Sequence, residues 1–252
     1  LQRAVVSAFL PSLRTYDAVS SQRVDSWVAT SRVVQQRIRK IYRRQSAIIP
    51  PPVALEEFSP SDGHDGYYLL LMRLVAWKRA DIVVQACNEL KLPLVVAGDG
   101  RDLGRLRAMA GPTVRFAGRV DGARKAELFA RCAALILPAI EDFGITPLEA
   151  MASGRPVIAV GQGGALDTVI PGVTGETFPE QTAESLIATL AGFDPDAYDP
   201  VLIRRSAEPY GSANFRRRIA ALMAETVARE GLPAEPAGPV DTDAFASEAL
   251  SF

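Results

Sequence analysis

PAIEDFGITPLEAMASGRPVIAV, residues 138–160, is the stretch from which the fold of this chain follows. Just ahead of it, Ala133, Ala134, Leu135, Ile136 and Leu137 form a short apolar run, as suits a parallel strand covered on both faces. A turn holding Glu141 and the run Phe143-Gly144-Ile145 then opens onto a short helix. Thr146 is the expected N-cap, Pro147 the first helical residue, and Glu149 the capping-box acid that reaches back to the helix start. Gly154 ends the helix in a left-handed conformation, and residues 155–160 form the next strand. A strand, a glycine turn and a helix N-terminus together make an anion site. The free N–H groups of Gly144, Ile145 and Thr146 point at a phosphate, and the helix dipole favours negative charge there.

Two carboxylates, Glu141 and Glu149, bracket that site. Neither belongs beside a phosphate on charge grounds, so hydroxyls are the expected partners. A phosphate lying between two hydroxyl-rich rings fits this arrangement, and a nucleotide sugar is such a molecule. In the plainer alternative, Glu149 only caps the helix and Glu141 is a surface acid of the loop.

The run from Glu141 to Ala159 resembles the Glu-x7-Glu signature of retaining family-4 glycosyltransferases with the GT-B fold. The similarity extends over residues 67–178 and, more weakly, over residues 16–52. With RVDSWVATS (residues 23–31) upstream, the variant is most similar to bacterial mannosyltransferases of polysaccharide and glycolipid assembly. That resemblance implies a hexosyl transfer, with mannose from GDP-mannose as the preferred donor, to a glycan or lipid-linked acceptor with retained anomeric configuration.

Outward from the central stretch, strands and helices alternate with short connections. Strands are expected at residues 67–72, 94–97 and 114–117, and helices at 79–90, 102–110 and 122–131. Further on, a small helix falls near residues 165–170, a tight turn at Pro171-Gly172, and helices at 183–190, 196–208 and 214–229. The alternation predicts an α/β domain, a Rossmann-like parallel sheet with helices on both faces. Upstream lie a helix over residues 1–22, a short strand at 25–30, and a helix over 32–42 capped by Ser31. A Pro50-Pro51-Pro52 run follows, which cannot continue regular pairing.

Three regions are therefore expected. Residues 1–60 are read as a remnant of the N-terminal, acceptor-side domain of a GT-B fold with its crossover. Residues 61–230 form the donor-binding domain, entered through the turn-rich linker 59–66, with the last helix crossing back to the first region. Residues 231–252, rich in Pro, Ala and acids, are read as a disordered tail. Because the chain opens at Leu1 directly into a helical pattern, with no leader pattern, it is read as a fragment inactive on its own.

Ligands of open α/β sheets sit at the carboxyl ends of the strands. Arg73 follows the first strand of the large domain, and Lys78 opens the next helix; both suit a diphosphate. The pair resembles the family's Arg-Leu…Lys motif, which binds the diphosphate and assists the leaving group. Gly98 belongs to a Gly-Asp-Gly turn after the second strand; its spacing is wrong for a dinucleotide fingerprint, and it resembles a turn that lets the donor approach. Arg119 and Val120 match a family segment that contacts the nucleotide base. Gly164 lies in a small-residue loop matched to one near the sugar, where Asp167 stands in place of a frequent Glu. The resemblance assigns catalysis to Glu141, Arg73 and Lys78, and donor binding to Glu149, Phe143, Gly144, Ile145, Thr146, Gly98, Arg119, Val120 and Gly164. Glu141 would hold sugar hydroxyls and Glu149 the ribose, while the leaving phosphate helps to deprotonate the acceptor.

Composition removes other classes. The chain has 252 residues, 48% apolar and 23% charged, with two cysteines and one histidine. Cys87 and Cys132 sit in apolar contexts and are expected to be reduced core residues. His64 falls in the linker, expected to be exposed, so Ser-His-Asp catalysis and histidine-ligated metal are excluded. No metal or cofactor is expected besides the donor substrate, and no nucleic acid. No apolar run approaches the ~18 residues of a membrane span. Nine Lys/Arg fall within residues 1–44 against Asp17 and Asp25 alone. That basic segment suits peripheral contact with the anionic inner face of the cell membrane, or else a solvated helix face, and the expected location is cytoplasmic. Two alternatives stay open: a module that binds a nucleotide sugar without turnover, and a nucleotide-sugar 2-epimerase, which would need acids and histidines this chain lacks.

Overall fold

Valine, isoleucine, leucine and alanine dominate four four-residue runs of this chain, and each forms a strand of one parallel sheet. The computed structural model describes residues 2–61 and 63–231. The expected tail lies outside the described residues except for Gly231, which is left-handed (φ 64°) at the end of the last helix.

The first helix, α1 (Gln2–Ser20), leads through a 3-10 turn (Ser21–Arg23) to β1 (Val28–Ala29), α2 (Arg32–Tyr42) and β2 (Ala47–Ile48). β1 and β2 pair in parallel. As expected, Ser31 caps α2, its hydroxyl accepting from the Val34 amide at 3.3 Å. The large unit then runs β3 (Tyr68–Leu71), α3 (Ala80–Glu89), β4 (Leu94–Ala97), α4 (Leu103–Met109) and β5 (Val114–Gly118). It continues α5 (Gly122–Arg131), β6 (Ala134–Leu137), α6 (Ile145–Ala152), β7 (Val157–Val160), α7 (Ala165–Thr168) and β8 (Gly175–Phe178). Three helices close it: α8 (Ala183–Ala191), α9 (Pro200–Ala207) and α10 (Ser212–Glu230).

The six strands are all parallel, in the order β5-β4-β3-β6-β7-β8. Burial follows position in that order. Every residue of β6 and β7 is buried, as continuous apolar runs require, whereas edge strand β5 alternates half-buried and exposed residues. The core is filled by Leu69, Leu70, Val96, Leu135, Ile136 and Leu148, and by Phe58 packed edge-on against Phe129.

Three expectations are corrected here. β8 was absent from the sequence reading, because Gly-Glu-Thr-Phe carries no apolar pattern; it is an edge strand held by its ladder to β7. The penultimate helix begins at Pro200 rather than 196: Asp199 caps the Val201 amide at 2.8 Å and Pro200 takes the first turn, while residues 195–197 form only a 3-10 turn. The linker is anchored rather than loose. The buried Arg155 guanidinium donates to the carbonyls of Ala130, Ser61 and Gly63, and His64 is mostly covered, its Nε2 3.3 Å from Asp196.

The last helix does meet the N-terminal segment. Thr226 and Ser26 share a 2.7 Å hydroxyl contact, and Arg229 donates to Asp25 O and Ser26 Oγ at 3.0 Å. Among the described residues, no helix is long and apolar enough to cross a membrane.

Cys87 and Cys132 are free and buried, and burial pushes each thiol from 9.0 up to about 12. Both are thus expected to resist a thiol reagent until the chain unfolds. The folded thiols keep their protons above the unfolded pKa, so their contribution to stability is complete below about pH 8.5 and is lost as pH rises towards 12. Denaturant midpoints measured from pH 7 to 11 check this. Equal midpoints at pH 7 and 11 would contradict it.

Candidate active site

The strand order changes direction between β3 and β6. From β3 the chain moves outward to β4 and β5, then returns to β6 and proceeds to the opposite edge. Connections leaving β3 and β6 therefore diverge, and a crevice opens at the carboxyl ends of these two strands. A cleft of about 1070 Å³ occupies that place. Its walls come from the ends of β3 (Leu71, Met72, Arg73), β4 (Ala97, Gly98, Asp99) and β6 (Leu137), and from the turn between Glu141 and Thr146. Thr30 and Pro51 close it from the N-terminal segment.

Arg73 is exposed on the cleft wall and forms no ion pair among the described residues. Lys78 donates to Glu141 Oε1 at 2.7 Å, with both side chains about four-fifths covered (19% and 22% exposed). The three residues assigned to catalysis therefore line one cleft.

The α6 N-terminus differs from the expectation by one or two residues. Gly144, not Thr146, is the N-cap, with φ 89° and no side-chain cap; Ile145 opens the helix and Pro147 is its third residue. A φ of that sign costs a side-chain-bearing residue energy, which is why glycine stands there. With no side-chain cap, the first amides of α6 keep their hydrogens for a ligand. Gly154 is left-handed (φ 71°) after the helix, as expected.

Glu149 is no capping-box acid. Its Oε1 accepts from Lys125 Nζ at 2.6 Å, and Lys125, not Glu149, lines the cleft. Lys125 is the residue that sequence reading missed. It lies on α5, 24 residues before its partner, and its ammonium also sits 5.2 Å from the Phe58 ring. No spacing rule joins two helices on either side of a strand.

Arg119 and Val120 line the cleft where β5 ends. Gly98 lines it too, and a Cβ there would stand 1.9 Å from the Met72 carbonyl oxygen; close approach of β3, besides any ligand, demands glycine. Phe143 is buried with its ring 5.9 Å from Tyr210. Gly164 is not part of the cleft wall. Its amide donates to Glu141 O at 2.8 Å, so it supports the turn from beneath.

Residues 54–193 match the family described as Glycosyl transferases group 1. This chain belongs to that family. Among its relatives, it is 51% identical over 57 residues to "Alpha-1,3/1,6-mannosyltransferase ALG2" of Dictyostelium discoideum, a match covering 22% of this chain and 14% of that one. It is 44% identical over 104 residues to the "GDP-mannose-dependent alpha-mannosyltransferase" of Mycolicibacterium smegmatis (41% and 28%). With the "D-inositol 3-phosphate glycosyltransferase" of Nocardiopsis dassonvillei it shares 28% identity over 222 residues (75% and 49%). The chain thus spans about half or less of the length of these curated relatives.

Solved structures agree in fold. Sucrose-phosphate synthase from Thermosynechococcus elongatus superposes with a TM-score of 0.75 at 22% identity, covering 87% of this chain and 62% of that one. Anabaena Alr3699/HepE, solved with UDP and glucose, gives 0.73 at 18% identity (84% and 66%). The group 1 glycosyltransferase fold, a parallel six-stranded sheet flanked by helices, is therefore the fold of this chain.

Proposed function

We propose that the cleft binds a nucleotide-diphosphate hexose, with GDP-mannose as donor, and that the protein transfers mannose to a glycan or lipid-linked acceptor with retained configuration, as family-4 enzymes do. One observation carries the reading. At the switch point between β3 and β6, a cationic wall of Arg73, Lys78 and Lys125 meets the uncapped N-terminus of α6, with Glu141 and Glu149 each held by one of the lysines. Two relatives named for mannose transfer, one of them for GDP-mannose, support the choice of sugar and nucleotide.

Charge development sets the roles. As the bond between the sugar and the diphosphate breaks, negative charge grows on the leaving oxygen and the sugar gains oxocarbenium character. Arg73, Lys78 and the amides of Gly144 and Ile145 stabilise the former from fixed positions, which spares reorganisation at the moment of reaction. Lys78 has three donors, so it can bond the phosphate without releasing Glu141. Glu141 keeps its second oxygen for a sugar hydroxyl beside the reacting carbon. Lys125 turns towards the phosphate and frees Glu149 for the ribose. Gly98, Arg119 and Val120 form the wall against the base, and Phe143 and Thr146 shape the turn. The leaving phosphate takes the acceptor proton, so no side-chain base, metal or further cofactor is assigned. Peripheral contact with an anionic cytoplasmic membrane face is assigned to the exposed Arg39, Lys40 and Arg43 of the basic segment.

Calorimetric titration with GDP, UDP and ADP tests the reading. GDP is expected to bind at least tenfold more tightly than the other two, and the variant combining Arg73→Ala with Glu149→Gln is expected to lose most of that affinity. Unchanged affinity in the double variant would remove the nucleotide from this cleft.

A further inference from the structure

Two arginines of α2 reach across, one to the turn that carries Glu141 and the other to α7, which follows the loop beneath that turn. Arg32 makes three contacts with α7: its backbone amide donates to Asp167 Oδ2 at 2.7 Å, its Nε to Asp167 Oδ1 at 2.5 Å, and its Nη2 to Leu166 O at 2.7 Å. Asp167 thus caps the first turn of a helix from another part of the chain while accepting one N–H of the guanidinium, whose second goes to Leu166 O. One turn and a half further along α2, Arg37 Nη1 donates to both oxygens of Asp142, at 2.9 and 3.1 Å. Asp142 is the residue after Glu141.

The two contacts converge on one piece of backbone. The loop before α7 lies directly beneath the Glu141 turn: the Gly164 amide donates to Glu141 O at 2.8 Å, and a Cβ on Gly163 would stand 2.4 Å from that same oxygen. Tyr210 ties the far side, its hydroxyl donating to Asp167 O at 3.1 Å while its ring packs on Phe143. Glu141 is therefore fixed from below through Asp167 and Gly164, and from the side through Asp142. Exposed ion pairs of this kind add little to global stability. Arg37 and Asp142 are both more than half exposed, as is Arg32. What they tie together is the backbone beside and beneath Glu141.

We propose that Arg32 and Arg37 of α2, through Asp167 and Asp142, are positioning residues that set the Glu141 turn for the sugar half of the donor. This rests on the reading of the cleft as a nucleotide-sugar site, and it adds that part of the sugar's placement is governed by a helix that touches no donor atom.

The test compares the wild-type chain with Arg32→Ala/Arg37→Ala, with the milder Asp167→Asn as a second variant should the first fold poorly. In hydrogen exchange without ligand, amides of residues 139–146 are expected to exchange roughly tenfold faster in the double variant, with Tm lowered by no more than about 4 °C. Affinity for GDP-mannose should fall about tenfold while affinity for GDP changes less than twofold. The charge-reversed pair Arg37→Asp/Asp142→Arg should restore part of the protection lost in Arg37→Asp alone. Unchanged exchange over residues 139–146, or parallel losses for GDP and GDP-mannose, would overturn the proposal. If wild-type protein binds neither GDP nor GDP-mannose, the donor reading falls, and the exchange arm still decides whether α2 orders the turn.

Discussion

Lys78→Met is expected to lower turnover of GDP-mannose by about 10²- to 10³-fold, the loss typical of removing one preorganised donor from a developing oxyanion. Methionine keeps the length of the lysine stem and deletes only the ammonium. That ammonium stands 2.7 Å from Glu141 Oε1 on the wall of the cleft, so the substitution removes the phosphate donor proposed above and leaves Glu141 without its lysine at once. Because Lys78 and Glu141 are each about one-fifth exposed, water relieves part of the second effect and the fold should survive. The measurement is GDP release by the enzyme at saturating donor, beside a thermal melt. Lys78→Arg is expected to recover only part of the rate, since a planar fork does not reproduce the position of a compact ammonium. Turnover within threefold of wild type in Lys78→Met would take Lys78 out of the reaction.

Gly164→Ala is expected to cost about 3 kcal/mol of stability or more, although the added methyl does not enter the cleft. A Cβ at position 164 would stand 2.3 Å from Phe143 Cα, 2.5 Å from Phe143 O and 2.7 Å from Asp142 O. These are backbone atoms, which cannot swing aside as a side chain does. The turn must move, and with it Glu141, whose carbonyl accepts the Gly164 amide. Donor affinity should therefore fall along with the denaturant midpoint, although Gly164 forms no part of the cleft wall. Gly104→Ala supplies the control: the position lies in α4 with nothing within 4 Å of the added Cβ, so stability should rise by about 0.5–1 kcal/mol. Equal midpoints for Gly164→Ala and wild type would show that the loop beneath the turn is free to yield.

Much of the fold was legible because its elements are local and strongly patterned. α5 and β4 fall at the boundaries read from the sequence, and the apolar run ending at Leu137 is β6. Errors fall where another part of the chain supplies the deciding interaction. β8 owes its pairing to β7, not to its own four residues. Glu149 has the spacing of a capping box, yet an ammonium from α5 at 2.6 Å outcompetes a helix amide for its oxygen. His64 looked like an exposed linker residue, yet the linker is fastened by Arg155, which stands between α6 and β7.

By itself, the sequence determined that this chain alternates strand and helix, that a glycine turn and helix N-terminus follow a buried strand, that Arg73 and Glu141 follow strand ends, and that Lys78 stands ahead of the next helix. Those features depend on residues within a turn or two of one another, where periodicity and backbone preference act directly. Only the tertiary structure decided that the three share one cleft, that Lys125 joins them, and that Arg32 and Arg37 hold the turn from a distant helix. Such contacts depend on which strands lie side by side and where the order reverses, and a charge on one helix carries no mark of the carboxylate that folding will bring beside it.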